Sequence, residues 1–213
     1  MKHAILIFLA LVAASAAYAK SDAPRPFSVA VPVGPDPMMP LSFKFSAFPW
    51  ECRVTAGGSG LCVHAGNRWR FALPTGGGEI EKLFFSASDV IVLAYEVTDQ
   101  ESGWAYVVGF HPKARHPQWR AHIRGLNLAI PILKDRSVLI AALTFVGSID
   151  QGDGHFDWRH EFVYNGSGRT STDMSVVDGT LVVKSLNVEH ADDVLTACYS
   201  LATGVIVSCP AQD

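Results

Sequence analysis

The feature that most constrains this chain is a weak internal repeat in its middle and C-terminal parts. Each unit has an Asp at or near its start, accompanied by small or polar residues, and then continues into a run of β-branched and other apolar residues. The runs begin at Val90, Val138 and Leu181, at offsets of 48 and 43 residues. A period of about 40–50 residues that holds about four strands is typical of propeller blades. The three segments are SDVIVLAYEV (88–97), DRSVLIAALTFV (135–146) and DGTLVVKSLNV (178–188).

Each apolar run is followed by a polar loop and by a second segment that we expect to form an outer hairpin. Outer strands are expected to alternate between apolar and polar residues, as in WRAHIR (119–124), whereas the apolar runs are expected to be buried on both faces. Helix signals are almost absent. The predicted outer hairpins are GWAYVVGFHPKARHPQWRAHI (103–123), HFDWRHEFVYNGSGRTSTDMSV (155–176) and VLTACYSLATGVIVSC (194–209), and the earlier stretch 43–73 has a similar outline.

The unit from Asp89 to Trp119 contains D-x-x-V and then V-x-G-F-x-P-x-A-R-x-x-x-W. In this pattern it resembles the repeats of quinoprotein-like β-propellers, where a short inner strand leads into an outer hairpin that ends on Trp. The resemblance implies the fold only. Quinoprotein dehydrogenases are much longer, with about eight blades, and their cofactor site has no counterpart in this sequence.

We therefore predict an all-β fold, a small propeller-like array of about four antiparallel blades that is open or distorted. A β-sandwich is the alternative, because it also needs many short strands.

The N-terminus predicts export. Lys2 precedes an apolar run over 4–14, and Ala17-Tyr18-Ala19 is a small-x-small cleavage signal. This is the three-part pattern of a secretory signal peptide, and the run is too short for a membrane-spanning helix. We predict a signal peptide over 1–19, cleaved near Ala19, and one all-β domain over 20–213 in the periplasm or the medium, without membrane insertion.

The four cysteines are expected to form disulfides, because an exported chain meets an oxidising environment. Of the three possible pairings we favour Cys52–Cys62 and Cys198–Cys209, since each pair flanks its own turn. In CYSLATGVIVSC, a turn centred on 203–204 places Leu201 opposite Ile206 and the two cysteines opposite each other. Zinc binding is disfavoured, because nine and ten residues separate the paired cysteines and zinc sites use closer spacing.

The richest polar stretch is SIDQGDGHFDWRHE (148–161). A calcium loop and a transition-metal site built on His155, Asp157 and His160 are weaker alternatives, because the spacings fit neither. We predict an exposed hairpin loop anchored by Phe156 and Trp158, with no metal and no cofactor. A second polar loop, TDQESG (98–103), is expected at the matching place in the second blade. The predicted partner-binding residues of the two loops are Asp99, Gln100, Glu101, Ser102, Asp150, Asp153, His155, Asp157 and Trp158.

No complete catalytic motif appears: there is no G-x-S-x-G elbow, and cysteines held in disulfides are not nucleophiles. The formal net charge of −3 argues against a nucleic-acid partner, which needs a basic surface. We predict a non-enzymatic protein-binding module. In size, signal and architecture it resembles periplasmic immunity proteins, which block type VI secreted cell-wall amidases with a loop. The alternatives are an exported hydrolase or binding protein that uses acidic loops on glycans, and a structural subunit of an envelope assembly.

Overall fold

All regular structure in the described part of the chain is β-strand. The computed structural model describes residues 24–26, 28–29, 31–33, 42–44, 51–54, 59–64, 66–72, 79–85, 92–99, 103–110, 117–125, 128–161, 169–187, 190 and 192–211. Within these ranges there is no helix that could cross a membrane. The predicted signal peptide lies outside them.

Eighteen strands are present in these ranges, most of them three to nine residues long. They are β1 (Arg25–Pro26), β2 (Ser28–Val29), β3 (Val31–Val33), β4 (Ser42–Lys44), β5 (Glu51–Val54), β6 (Ser59–His64), β7 (Asn67–Ala72), β8 (Glu79–Phe85), β9 (Val92–Asp99), β10 (Trp104–Phe110), β11 (Trp119–Arg124), β12 (Ile132–Lys134), β13 (Ser137–Ala142), β14 (Phe145–Asp150), β15 (Phe156–Glu161), β16 (Arg169–Val177), β17 (Thr180–Asn187) and β18 (Val194–Ser200).

The strands form four antiparallel sheets that follow one another along the chain. The first sheet has the order β3-β4-β5-β6-β7, the second β2-β8-β9-β10-β11, the third β1-β12-β13-β14-β15 and the fourth β16-β17-β18. Apart from β1 and β2, every strand pairs with its neighbour in sequence, as in the blades of a propeller. The prediction of an all-β, propeller-like array of about four blades is confirmed, and the sandwich alternative, which has two sheets, does not apply.

The N-terminal stretch pairs with three sheets in turn, which the repeat did not predict. Strand β1 pairs with β12, β2 with β8, and β3 with β4. These partners are the first strands of the third, second and first sheets. A segment of nine residues, 25–33, therefore links three blades through backbone hydrogen bonds.

The third sheet lies between the second and the fourth, and its strand β13 contributes to both interfaces. Towards the second sheet, Val138 and Ile140 pack in a cluster with Phe84 and Ile123. Towards the fourth sheet, the alternate residues of β13 join a second cluster, which includes Leu139, Ala141, Leu181, Val183 and Tyr199. Complete burial of a large apolar side chain stabilises the fold by about 1.5–3 kcal/mol, so these two interfaces hold the second, third and fourth sheets together.

The predicted burial patterns are confirmed in β13 and β11. Every residue of β13 after Ser137 is buried, as expected for a strand covered on both faces. In β11 the side chains of Trp119, Ala121 and Ile123 are buried, whereas the intervening polar residues are partly or fully exposed.

The predicted outer hairpin over 155–176 is wrong. Strand β15 pairs with β14 in the third sheet, and β16 pairs with β17 in the fourth. The boundary between two blades therefore falls inside this segment. Strand β15 completes the third sheet because its Trp158 side chain packs in the interface with the fourth sheet.

The disulfide between Cys198 and Cys209 is present, with Cα atoms 5.2 Å apart. Cys198 lies on β18 and is buried, whereas Cys209 is exposed. Strands β5 and β6 place Cys52 directly opposite Cys62, which is the backbone arrangement that the second predicted disulfide requires; the side chains of this pair lie outside the described set.

The predicted register of the C-terminal hairpin is wrong by two residues. Tyr199, not Leu201, lies opposite Ile206. The turn is longer than expected: Ser200 accepts a hydrogen bond from the Gly204 N–H at 2.7 Å and donates its own N–H to the Val205 carbonyl at 2.9 Å. Gly204 has a φ of +70°, which a glycine adopts without steric cost.

Candidate functional site

The hairpin of β14 and β15 has a polar tip, residues 150–157, which comprises the last residue of β14, the connection 151–155 and the first two residues of β15. We call it the 150–157 loop, and its backbone is ordered by hydrogen bonds. The Asp150 N–H donates to the His155 carbonyl, and the Gly154 N–H donates to the Asp150 carbonyl, both at 2.9 Å. Gly154 has a φ of +77°, so this tight return favours glycine. Hydrogen bonds within the loop thus hold its tip in one conformation.

The Asp150 carboxylate stabilises the loop from inside. It accepts a hydrogen bond from the Gly152 N–H at 2.6 Å, and the Arg136 guanidinium lies 3.4 Å away. The Asp150 side chain is only 18% exposed, whereas that of Arg136 is 74% exposed. A pair with one exposed partner contributes little to stability, so the main role of Asp150 is to shape the turn.

His155 lies between two carboxylates on the exposed side of the loop. Its Nδ1 is 2.5 Å from Asp153 Oδ1, and its Nε2 is 3.5 Å from Asp157 Oδ1. The hydrogen bond and the negative charge of Asp153 raise the pKa of His155. The pKa of Asp153 is lowered, first because it accepts the His155 backbone N–H and then because it bonds the imidazole ring.

Asp157 joins this exposed cluster to the sheet below it. Its Oδ2 accepts hydrogen bonds from Ser137 at 3.0 Å and from Ser148 at 2.8 Å. Ser148 is buried. In the described residues, no group of three His, Cys, Asp or Glu side chains is arranged to hold a metal ion. The cluster presents one imidazole and two carboxylates to solvent in a fixed geometry.

The structure places Trp158 away from the exposed surface of the loop. Its side chain is 8% exposed, donates its indole N–H to the Leu201 carbonyl at 2.9 Å, and lies against Gly204. The residue anchors the hairpin, as predicted, but a partner that approaches the loop from solvent does not meet its ring.

A second Trp attaches the loop to the neighbouring sheet. Trp119, at the start of β11, donates its indole N–H to the Gln151 carbonyl at 2.7 Å. Its ring also lies against Gly154, where an added Cβ would be 2.5 Å from the Trp119 Cβ. The loop is therefore held from two sheets at once.

The second predicted loop does not lie at the matching place. The 150–157 loop connects β14 and β15, whereas 98–103 includes the connection between β9 and β10. In β10, Trp104 pairs with Arg124 beside that connection, and Gly109 pairs with Trp119 at the other end. Since Trp119 contacts the 150–157 loop, Asp99 and Trp104 lie at the opposite end of the second sheet from that loop. Asp99 ends β9, and Gln100, Glu101 and Ser102 lie outside the described residues.

A set of stacked side chains on β10 and β11 was missed by the sequence prediction. The Trp104 and His122 rings are stacked with centroids 4.4 Å apart, and His122 and Tyr106 with centroids 4.6 Å apart. The Arg124 guanidinium lies 5.7 Å from the centre of the Trp104 ring, and the Arg120 guanidinium 3.5 Å from that of Tyr106. We call these five residues the cation–aromatic ladder.

The signal for the ladder was present in the alternation of β10 and β11. The pattern W-x-Y on one strand and R-x-H-x-R on the next puts all five side chains on one face. What the sequence lacked was the pairing register, which sets Trp104 opposite Arg124 and Tyr106 opposite His122.

No protein-family model matches the chain, and no curated protein matches it. Among solved structures, BamB from Moraxella catarrhalis is 21% identical with a TM-score of 0.45, over 74% of this chain and 48% of that protein. A quinohemoprotein alcohol dehydrogenase from Pseudomonas putida HK5 is 10% identical with a TM-score of 0.48, over 85% of this chain and 35% of that protein. The WD40 domain of SCAP from fission yeast is 15% identical with a TM-score of 0.36, over 82% of this chain and 45% of that protein.

These three proteins are β-propellers, and the chain spans less than half the length of each. With TM-scores below 0.5, the likenesses carry no conclusion about what the chain binds or does.

Proposed function

We propose that this protein is a non-enzymatic protein-binding module of an oxidising compartment, and that it docks on its partner through the 150–157 loop. The observation that carries the proposal is the attachment of this loop: its backbone is held by its own hydrogen bonds and by the Trp119 indole from the next sheet. A loop that is ordered before binding loses little conformational entropy when it binds, and loops on rigid scaffolds are common recognition elements.

The exposed side chains of the loop suit specific recognition of a polar cleft. Asp153 and His155 are both more than half exposed, and Asp157 is oriented by two serine hydroxyls. The loop offers carboxylate acceptors and an imidazole in fixed positions, which favours binding to a site lined by hydrogen-bond donors or by a metal ion.

The partner we propose is a secreted cell-wall hydrolase, which the protein inhibits in the manner of periplasmic immunity proteins. The predicted signal peptide over 1–19 and the Cys198–Cys209 disulfide support the proposal that the protein acts outside the cytoplasm.

The test is a capture experiment followed by an inhibition assay. The mature, oxidised protein is immobilised, exposed to secreted fractions of the host and of neighbouring strains, and the retained proteins are identified by mass spectrometry. A retained hydrolase is then assayed on purified peptidoglycan with increasing amounts of the protein. We expect inhibition at a ratio of one to one.

The double variant Asp153→Arg with His155→Ala should weaken the hydrolase complex by about thirtyfold or more, as for a hot spot of about 2 kcal/mol. Asp173→Arg, an exposed position on β16, is the matched control and should bind like the wild type. Unchanged affinity of the loop variant would overturn the loop assignment. Capture of an envelope complex without inhibition would favour a structural subunit, and hydrolysis of glycan by the protein itself would favour an exported enzyme.

A further inference from the structure

We propose that the outer edge of β18 from Val194 to Ala197, which we call the β18 edge, binds a partner protein by strand addition. The occupant is a short extended segment with a run of about four apolar residues and a basic residue directly after it. This surface goes beyond the proposed function, because only the Ser200 end of β18 leads into the turn that Trp158 contacts. Its test does not depend on the hydrolase.

β18 is the last strand of the fourth sheet in the described residues, and only part of its outer edge is covered. The C-terminal segment bonds to it twice: the Ser200 N–H donates to the Val205 carbonyl at 2.9 Å. The Cys198 carbonyl accepts the Val207 N–H, also at 2.9 Å. Since backbone groups of successive residues point to alternate sides of a strand, Thr196 also directs its N–H and its carbonyl to this edge. The described residues supply no hydrogen-bond partner to either group.

The disulfide keeps the C-terminal segment away from the β18 edge. Tyr199 lies opposite Ile206, so a strand that continued in this register would bring Cys209 opposite Thr196. Instead the disulfide joins Cys209 to Cys198, with Cα atoms 5.2 Å apart, and in the described residues no strand pairing follows Ile206. The edge therefore stays open at Thr196.

The β18 edge lacks the charges that protect the last strands of the other three sheets. Its sequence is VLTA, whereas those strands read NRWRFA in β7, WRAHIR in β11 and FDWRHE in β15. Charged side chains on an edge strand discourage pairing with other chains. Val194 is 47% exposed and Leu195 is 52% exposed. An uncharged, apolar and open edge of this kind is a candidate pairing site.

Val194 and Leu195 determine which side chains the occupant needs. Successive residues of a strand point to opposite faces, so these two side chains border an added strand on both of its faces. A strand that meets apolar groups on both faces carries a continuous apolar run, not an alternating one. The β18 edge is four residues long, which limits the run to about four residues.

Asp192 determines the charge that suits the end of the apolar run. It is exposed and has no ion pair with a described residue. Its carbonyl accepts the Val194 N–H at 3.2 Å, so it lies directly beside the start of the β18 edge. A segment that pairs antiparallel with β18 passes Val194 last, and its next residue lies towards Asp192. The attraction of opposite charges favours Lys or Arg at that position.

A second copy of the chain fits this edge less well than a flexible segment. An antiparallel pair of β18 strands centred on Thr196 would place Val194 of one copy beside Cys198 of the other, where Val207 already lies. A flexible segment that turns away after the apolar run avoids this overlap. We therefore assign the edge to a segment of a different protein.

The test measures peptide binding by fluorescence anisotropy with the whole mature, oxidised protein. The probe is the fluorescein-labelled peptide Gly-Ser-Val-Ile-Val-Val-Lys-Lys. One control is the same peptide with N-methyl groups on alternate residues of the apolar run, which removes backbone donors but keeps the side chains. The other control has Glu in place of both Lys residues.

We expect the probe to bind at least about tenfold more tightly than the N-methylated peptide, because strand addition requires its backbone N–H groups. It should bind about threefold more tightly than the Glu peptide, since the charge contact with Asp192 is exposed to solvent. Equal binding of the methylated and unmethylated peptides would overturn the proposal, as would failure of the probe to bind.

Variants place the binding on the β18 edge. Thr196→Pro removes the outward N–H at a position where an edge strand tolerates Pro, and should lower affinity for the probe by about tenfold. Leu195→Lys should lower it similarly, because Lys on an edge opposes strand addition. Ile130→Lys, at a residue that is 46% exposed in the stretch before β12, is the matched control and should bind like the wild type.

Two results would overturn the assignment to a partner segment. Equal losses in Leu195→Lys and Ile130→Lys would show that the added charge repels the basic probe without regard to position. A dimer in sedimentation velocity that Leu195→Lys converts to a monomer would show that a second copy occupies the edge. Equal unfolding midpoints of the variants exclude a folding defect.

Discussion

Trp119 donates its indole N–H to the backbone carbonyl of Gln151 at 2.7 Å, and the relationship recurs one blade later, where Trp158 donates to the carbonyl of Leu201 at 2.9 Å. In both cases a Trp on the last strand of one sheet docks on the hairpin turn of the next. Each ring also lies against a glycine with positive φ, Gly154 or Gly204. This repeated contact joins the second sheet to the third and the third to the fourth.

Removal of the indole donor should destabilise the fold. In Trp119→Phe or Trp158→Phe, the carbonyl loses its partner inside an interface, and we expect a loss of about 1–3 kcal/mol in the free energy of unfolding. Urea denaturation measures this change. Trp104→Phe is the control, because that side chain is 37% exposed, and its loss should be smaller. Equal losses of unfolding free energy in all three variants would show that the two indole hydrogen bonds do not contribute to the stability of the fold.

Gly154 and Gly204, which lie against the two Trp rings, should tolerate substitution by Ala less well than glycines with the same backbone conformation elsewhere. Gly154 and Gly204 have φ of +77° and +70°, and an added Cβ would be 2.5–2.6 Å from the Trp ring or its Cβ. Gly66 and Gly179 have φ of +82° and +73°, with no atom within 4 Å of the added Cβ.

All four Gly→Ala variants carry the cost of positive φ, about 1–2 kcal/mol. The Gly154 and Gly204 variants should lose about 1–3 kcal/mol more, because the new methyl group displaces the ring. Thermal unfolding of the four variants measures their loss of stability and separates the cost of positive φ from the cost of displacing the Trp ring. A loss in Gly179→Ala as large as in Gly204→Ala would contradict the packing explanation.

Loss of the Cys198–Cys209 disulfide should release the C-terminal segment. A cross-link that closes a loop this short contributes about 2–3 kcal/mol. Without it, the pairing of Ile206 with Tyr199 depends on two backbone hydrogen bonds, Ser200 to Val205 and Val207 to Cys198. The double variant Cys198→Ala with Cys209→Ala should be cleaved by proteases within 205–211 before the rest of the chain. Cleavage at the same rate in the wild type would show that the disulfide does not restrain this segment.

The pKa of His155 should depend on the carboxylates that surround it. Its pKa is raised by Asp153, with smaller contributions from Asp157 and Asp150. The stabilising ion pair is therefore complete below the ordinary His pKa of about 6.5, and it is lost as the pH rises through the higher pKa of the folded protein.

An NMR titration of the His155 ring should show a midpoint above that of a free His. In Asp153→Asn the midpoint should fall, because the main hydrogen-bond acceptor loses its charge. Asp178→Asn, in the turn between β16 and β17, is the control and should leave the midpoint unchanged. A midpoint that is the same in wild type and Asp153→Asn would contradict the contact seen here.

The sequence was sufficient to predict features that depend on local periodicity. The all-β class, the burial of β13 on both faces and the alternation of β11 follow from side chains that point to opposite sides of a strand at every residue. The pairing of Cys198 with Cys209 also follows from local geometry, because the two residues flank one turn.

Other features were decided by contacts between residues far apart in the chain. The Trp158 ring packs against Gly204 in the C-terminal turn, and this contact fixes the length of the turn. The hydrogen bond from the Trp119 indole to Gln151 likewise fixes the position of the 150–157 loop. Three further features depend on register: the strand pairs of β1, β2 and β3, the position of Asp99 and Trp104 at the end of the second sheet away from the 150–157 loop, and the cation–aromatic ladder. A period of two specifies which face a side chain occupies, but not which residue stands opposite it. The geometry of the connecting turn and the packing of the buried face select that partner.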